Sequence, residues 1–244
     1  PLPGNPTGLH KRASLMLGMS ITDNSWMVLN KFMVVPQAGQ FKFVFQYDPG
    51  HTLSSTVLYA TEQEAFAAME TLVEIITKED MDPVNWIYFQ ILPFGGGFRF
   101  AVRPTTASPV FAVSAPVYPS VQAAKNAFPV LKASLLAEGM HIIEHILLRP
   151  LPVAKNIPAA DLDSGFFPLC NSLNPDCECP DPDYYSFRIS VILPYWTQRF
   201  RNMDFRQFAE DTIHRETPAH ILPKFCWVSM YDLHRLETAY NNWF

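Results

Sequence analysis

The feature that most restricts the fold is an internal repeat. Ser114, Tyr118, Ser120 and Ala124 stand 59 positions (114 minus 55) after Ser55, Tyr59, Thr61 and Ala65, and Phe128, Leu131 and Leu135 stand likewise to Met69, Leu72 and Ile76. In the first copy, Phe41-Lys42-Phe43-Val44-Phe45-Gln46-Tyr47 alternates as a half-buried strand does. Asp48-Pro49-Gly50 carries turn chemistry, and Leu53 to Leu58 can return as the partner strand. Thr61 then offers a helix N-cap with Glu64 at capping-box spacing. Ala65, Met69, Leu72, Val73 and Ile76 make one apolar helical face that runs to about Lys78. The second copy opens at Phe98-Arg99-Phe100-Ala101-Val102, and Pro129 is expected to kink or shorten its helix.

These units resemble the small bacterial strand-strand-helix repeat of the YegP-like family. They share its Phe-x-Phe strand, serine, and Tyr-Ala-Ser/Thr-like entry to an alanine-bearing helix over roughly residues 41 to 137. The resemblance implies a pairing fold and supplies no catalytic residues. The family's glycine-rich hairpins are only partly kept here. Gly95-Gly96-Gly97 lacks the Gly-Lys-Ser/Thr ending of a phosphate cradle and leads into a strand, so it reads as a flexible connection.

The string closest to catalysis is His141-Ile142-Ile143-Glu144-His145, the H-x-x-E-H order of the inverted zinc peptidases. Residues four apart on a helix have Cβ atoms ~6 Å apart and could share one zinc. On a strand they stand roughly 13 Å apart, at ~3.3 Å per residue, and cannot. Gly139 before the run, Pro150 after it and the isoleucines and leucines between favour a strand of about eight residues. A peptidase would also need a third ligand, for which Glu210 or Glu216 is nominated only by counting. The zinc hydrolase reading through His141, Glu144 and His145 is thus the alternative.

Between Pro150 and Asp183 lie seven prolines in 34 residues, which marks a crossing segment. It contains Cys170, Cys177 and Cys179. Thiolates in a loop can fold around zinc without a core, so these three are the candidate metal ligands. Their spacing is unlike a C-x-x-C knuckle, and Asp176 and Glu178 oppose thiolate formation. Reduced cysteines or a disulfide are the competing readings. Beyond, Phe187 to Leu193 alternates as a strand ending at Pro194, Asp204 with Gln207 caps a helix, Lys224 to Val228 is a strand, and Ser229 with Asp232 starts a last helix.

Charged residues make up 17% of the chain against a usual ~25%, and aromatics 14%. Depleted charge with many aromatics suits either a surface covered by partners or a large aromatic core. The net charge of -5 argues against a nucleic-acid backbone binder. No apolar run reaches the ~18 residues of a membrane span, so the chain reads as soluble. His214 and His220 bracket a helix end and suit its C-terminal dipole. Arg199, Arg201 and Arg206 near Tyr195 and Trp196 could form either a contact patch or a solvated face.

The run from Glu138 to Pro150, the cysteine loop, Ser190-Val191-Ile192-Leu193-Pro194-Tyr195-Trp196, Glu216-Thr217-Pro218-Ala219-His220 and Cys226-Trp227 resemble segments of baseplate-associated proteins of phage-tail-like contractile injection systems. That resemblance covers about residues 130 to 244. It implies a structural part of a multi-subunit particle, other protein subunits as partners, assembly in a bacterial cytoplasm and residence in an exported particle. The start at Pro1 without methionine fits a piece of a longer polypeptide. The expected fold is α+β, with repeated strand-strand-helix units followed by a strand-helix-strand-helix unit. Its divisions are an N-terminal segment 1-40, a tandem repeat domain 41-150, a Pro/Cys-rich crossing loop 151-183 and a C-terminal α+β domain 184-244. The expected work is protein-protein assembly without catalytic residues, with structural zinc at the cysteines as the one cofactor in view.

Overall fold

The computed structural model describes residues 8–19, 27–148 and 185–243. After helix α1 (Gly8–Met16), the chain builds one element order twice. The first unit is β1 (Phe32–Gln37), β2 (Gln40–Asp48), β3 (His51–Ser55) and helix α2 (Glu62–Lys78). The second is β4 (Phe89–Phe94), β5 (Gly97–Val102), β6 (Ala112–Ala115) and helix α3 (Val121–Leu136). Each unit therefore has three strands: the apolar run Trp26 to Val35, read as a strand that stops at Pro36, covers most of β1, whereas β4 was not expected. The leading strands contain Pro36 and Pro93, and both lie at the outer edges of the sheet, where a missing N–H costs no ladder bond.

All six strands join in one antiparallel sheet of order β1-β2-β3-β6-β5-β4. The units meet at β3 and β6, with Leu53 opposite Ser114, Ser54 opposite Val113 and Ser55 opposite Ala112. Because Ser54 and Val113 are equivalent positions, this ladder has an internal two-fold through their pair, as an isologous dimer interface would. The conserved letters of the repeat have matching physical roles. Buried Ser55 Oγ accepts from Phe43 N at 3.2 Å, and buried Ser114 Oγ accepts from Phe100 N at 2.8 Å. Tyr59 exchanges backbone hydrogen bonds with Phe41, as Tyr118 does with Phe98. Thr61 and Ser120 both cap their helices, with the full capping box formed only by Thr61 and Glu64. Helix α3 runs on through Pro129 without being shortened.

The triple glycine is a tight hairpin and not a flexible connection. Gly95 and Gly96 take φ of 57° and 82° between β4 and β5, and Ala38 and Gly39 take 51° and 79° between β1 and β2. Two consecutive positive φ values define the turn whose twist matches a two-residue hairpin. Gly97 has a separate cause: a Cβ there would lie 2.6 Å from the Tyr118 carbonyl oxygen.

The second sheet has order β7-β8-β9 and comprises β7 (His141–Glu144), β8 (Arg188–Pro194) and β9 (Leu222–Val228). Strands β8 and β9 run parallel, joined through helix α4 (Met203–Glu216), and β9 leads into helix α5 (Met230–Trp243). The cap of α4 is Asn202, whose side chain accepts from Asp204 N and Phe205 N, so the Asp204 cap was misplaced by two residues. Helices α2 and α3 pack on the phenylalanine face of the first sheet. Phe43, Phe45, Phe66, Phe89, Phe100 and Phe128 are buried there, each burial contributing about 1.5–3 kcal/mol. Ile192, Trp196, Met230 and Leu233 belong to the same core, which binds the second sheet and α5 to the first unit.

The two hairpins give substitutions of opposite sign. Ala38→Gly relieves a positive φ and should raise stability by about 1 kcal/mol. Gly97→Ala should lower it by about 1–3 kcal/mol, through overpacking against the Tyr118 carbonyl. Urea unfolding of both variants checks the pair; a neutral Gly97→Ala would remove the close-approach account.

Candidate functional site

The H-x-x-E-H string does not form one site. His141 to Glu144 is extended, as expected, but only four residues long, and His145 begins a 3-10 turn through Leu148. His141 pairs with Ile192 across the ladder, and its Nε2 lies 3.1 Å from Glu237 Oε1 on α5. His145 Nε2 lies instead 2.8 Å from Ser190 Oγ on β8. The imidazoles are bound to partners on different elements. Among the described residues no three His, Cys, Asp or Glu side chains come together to hold a metal. Cys170, Cys177 and Cys179 lie outside the described residues, and Cys226 is a half-buried free thiol on β9. Glu210, nominated as a third ligand, accepts from Trp227 Nε1 at 2.6 Å, and Glu216 pairs with Arg12 at 2.9 Å.

Glu237 is the group the sequence could not have announced. Its side chain is fully buried, and Oε2 accepts from Leu29 N at 2.8 Å while Oε1 faces His141. A buried carboxylate is tolerable only with such partners. Nearby, His10 Nε2 lies 3.2 Å from the Met140 carbonyl oxygen. Burial holds the His10 imidazole below its ordinary range, against the opposing pull of that hydrogen bond, and neighbouring His141 adds to the lowering.

The arginines of residues 199–206 form neither an outward patch nor a solvated face. Arg199 bonds the buried Glu138 carboxylate and, through Nη1, the Leu17 carbonyl at 2.7 Å. Arg201 donates to the Trp196 carbonyl at 2.8 Å and the Glu70 carbonyl at 3.0 Å, and pairs with Glu74 at 2.6 Å. Both the Lys78 hydrogen bond and Arg201 hold the Glu74 carboxyl below its usual range. Arg206 donates to the Phe200 and Tyr195 carbonyls and lies 4.9 Å over the Trp227 ring. These cations close seams within the chain. His214 does sit in the last turn of α4, and the His220 ring meets Phe187 edge-on at 5.7 Å.

At the seam between the units, the Tyr47 and Tyr118 hydroxyls hydrogen-bond each other, and the His51 ring stacks on Tyr118 at 5.3 Å. Burial pushes both phenols above their ordinary range, and for Tyr47 the hydrogen bond adds to the shift.

The surface with the clearest capacity to bind is the sheet face opposite α2 and α3. Cross-strand partners place Met33, Val44, Ser54, Val113, Ala101 and Gln90 in one row across all six strands. Val35, Lys42, Leu92, Arg99 and Phe94 flank that row on the same face. Antiparallel sheets that face water usually alternate to polar residues there. Here Met33, Val35 and Phe94 are 41%, 45% and 53% exposed, and Arg99 stacks 3.9 Å over Phe94. Among the described residues no helix covers this face. The lost signal was β4, since without it Leu92 and Phe94 have no assigned side.

The fold and this surface define an α+β protein with a duplicated sheet and an open face of mixed apolar and polar residues. No family model matches the chain, and no curated protein matches it.

Two measurements follow. His141→Ala leaves Glu237 buried with one partner fewer and should cost about 3–5 kcal/mol, whereas His145→Ala, facing half-buried Ser190, should cost about 1 kcal/mol. Denaturant midpoints decide it, and equal losses would contradict the separate-partner geometry. For pH, the folded phenols keep protons that the unfolded chain releases above about pH 10. Stability is therefore full below that pH and falls as pH rises beyond it. Tyr47→Phe should flatten that alkaline fall in denaturant midpoints measured against pH, and a fall of unchanged steepness in the variant would count against it.

Proposed function

We propose that this chain is a structural assembly component that docks other protein subunits on the open face of its six-stranded sheet. The observation that carries the reading is the sheet face on which Met33 and Val35 of β1 and Phe94 of β4 stand exposed at the two edges, with half-buried Val44, Val113 and Leu92 between them. Exposed apolar residues on a sheet surface suit an interaction site, and Met, Phe and Arg are residues enriched at interface centres. Lys42 and Arg99 are the charges on those rows, so the favoured partner surface is apolar with carboxylates at its rim. The low charge content of the whole chain agrees with this. The resemblance of residues 130 to 244 to baseplate-associated proteins supports placing the assembly in a phage-tail-like contractile injection particle, as part of a longer polypeptide.

Val35→Asp and Phe94→Asp test the reading. Both sites are exposed, so the isolated variants should unfold within about 0.5 kcal/mol of the parent. Co-sedimentation with the particle from source cells should drop sharply for both. A parent chain that stays monomeric and joins no particle would sink the proposal. So would zinc and a hydrolase activity that disappear together in His141→Ala, because the metal would then sit at the H-x-x-E-H string.

A further inference from the structure

Helix α5 lies along the outer side of α2, next to edge strand β1. His234 and Tyr231 of α5 meet the Phe66 ring at centroid distances of 4.9 and 5.9 Å. Glu70 of α2 accepts from Met230 N at 2.7 Å, at the start of α5, and Glu237 accepts from Leu29 N at 2.8 Å just before β1. Trp196 packs edge-on at 5.7 Å against Phe32 of β1, which closes the floor of this site.

The two-fold through Ser54 and Val113 carries that site onto the far side of the sheet. Phe32 and Val34 correspond to Phe89 and Ile91, 57 positions on (89 minus 32), and Phe66 corresponds to Lys125, 59 positions on (125 minus 66). There β4 and α3 border a shallow groove of about 370 Å³ lined by Trp86, Phe89, Ile91, Val121 and Lys125, together with Gln90 and Leu92 from the edge of the open sheet face. Its floor is already finished: Trp86 packs on Phe89 at 4.9 Å and on Phe128 at 4.5 Å. That is the role Trp196 plays on Phe32. No helix among the described residues occupies the place of α5.

We propose that this groove receives an amphipathic helix from a partner subunit, in the manner in which α5 occupies the equivalent place on the first unit. The helix lays apolar side chains over Trp86, Ile91 and Val121, as helix-in-groove recognition does. The replacement of Phe66 by Lys125 specifies a difference from α5: the partner helix carries a carboxylate where α5 carries Tyr231. Glu70, which takes the Met230 amide beside the Ser229 cap of α5, corresponds to Pro129, so that contact has no counterpart in the groove. This inference rests on the assembly reading and names a second contact, which adjoins the sheet face at Gln90 and Leu92.

The test uses the full chain with two fluorescein-labelled peptides: residues 229–243 of this protein, and the same sequence carrying Tyr231→Glu. Fluorescence anisotropy should show saturable binding of both, with the glutamate peptide about two- to fivefold tighter, the gain of one exposed ion pair. Val121→Asp should weaken both by about tenfold or more, through a charge buried against the apolar helix. Asp suits the first turn of a helix, so folding of α3 is preserved. Lys125→Glu should reverse the order of the two peptides. Phe94→Asp on the sheet face should leave peptide binding unchanged. Absence of binding by either peptide, or binding indifferent to Val121→Asp and Lys125→Glu, overturns the groove. If Phe94→Asp still removes the chain from its particle in that event, the assembly reading stands and only the groove falls.

Discussion

The buried Glu237 carboxylate is the tie on which the arrangement of the two sheets depends. One oxygen takes the Leu29 amide ahead of the first sheet and the other faces His141 of the second, while the residue itself belongs to α5. Three segments far apart in the chain thus meet at one group that water does not reach. A carboxylate without those partners would cost several kcal/mol in such surroundings, so the contact constrains geometry more than it adds stability. Hydrophobic burial supplies the favourable energy, and the carboxylate restricts how the buried surfaces can be arranged. Glu70 acts in the same sense on the other side of α5, joining Met230 N and the Tyr195 hydroxyl at 2.9 Å to helix α2.

This division of labour explains what was legible in the amino-acid sequence. Local chemistry could be read directly. Thr61 and Glu64 announced a capping box that forms, the apolar spacing from Ala65 to Ile76 announced the buried face of α2, and the strand at His141 was extended as its flanks implied. Long-range pairings could not be read, because nothing near Glu237 marks it as the partner of a histidine 96 residues away. The same holds for Ser190, which stands beside His145 only because β8 returns beside β7.

The missed strand β4 has a different cause. Phe32-x-Val34-x-Pro36 and Phe89-x-Ile91-x-Pro93 repeat at 57 positions, whereas the later half of each unit repeats at 59. Phe100 and Ser114 stand 14 positions apart where Phe43 and Ser55 stand 12 apart, so the one spacing that aligns the serines, tyrosines and helices does not align β4 with its counterpart. Pro36 read as the end of the first leading strand, yet β1 runs through it to Gln37. At an edge, a proline limits unwanted pairing with another chain. The triple glycine was misread for a related reason: glycine marks freedom in an isolated segment, but between two strands the same residue permits the left-handed turn that fixes their register.

The two units have diverged unevenly, and the pattern separates what folding requires from what binding exploits. At their common seam the serines, the tyrosine bridges and the helix caps are kept. At their flanks, Phe66 stands against Lys125 and Glu70 against Pro129. The first flank is closed by α5 and built into the core, so its residues must satisfy aromatic rings and a buried helix start. The second flank faces outward, where a lysine can keep its ammonium in water while its stem lines the groove. A duplicated unit with one side closed by its own chain and the other left open is asymmetric by construction. Its open side and its open sheet face are therefore the surfaces on which the two proposed contacts fall, and both are built on one shared core.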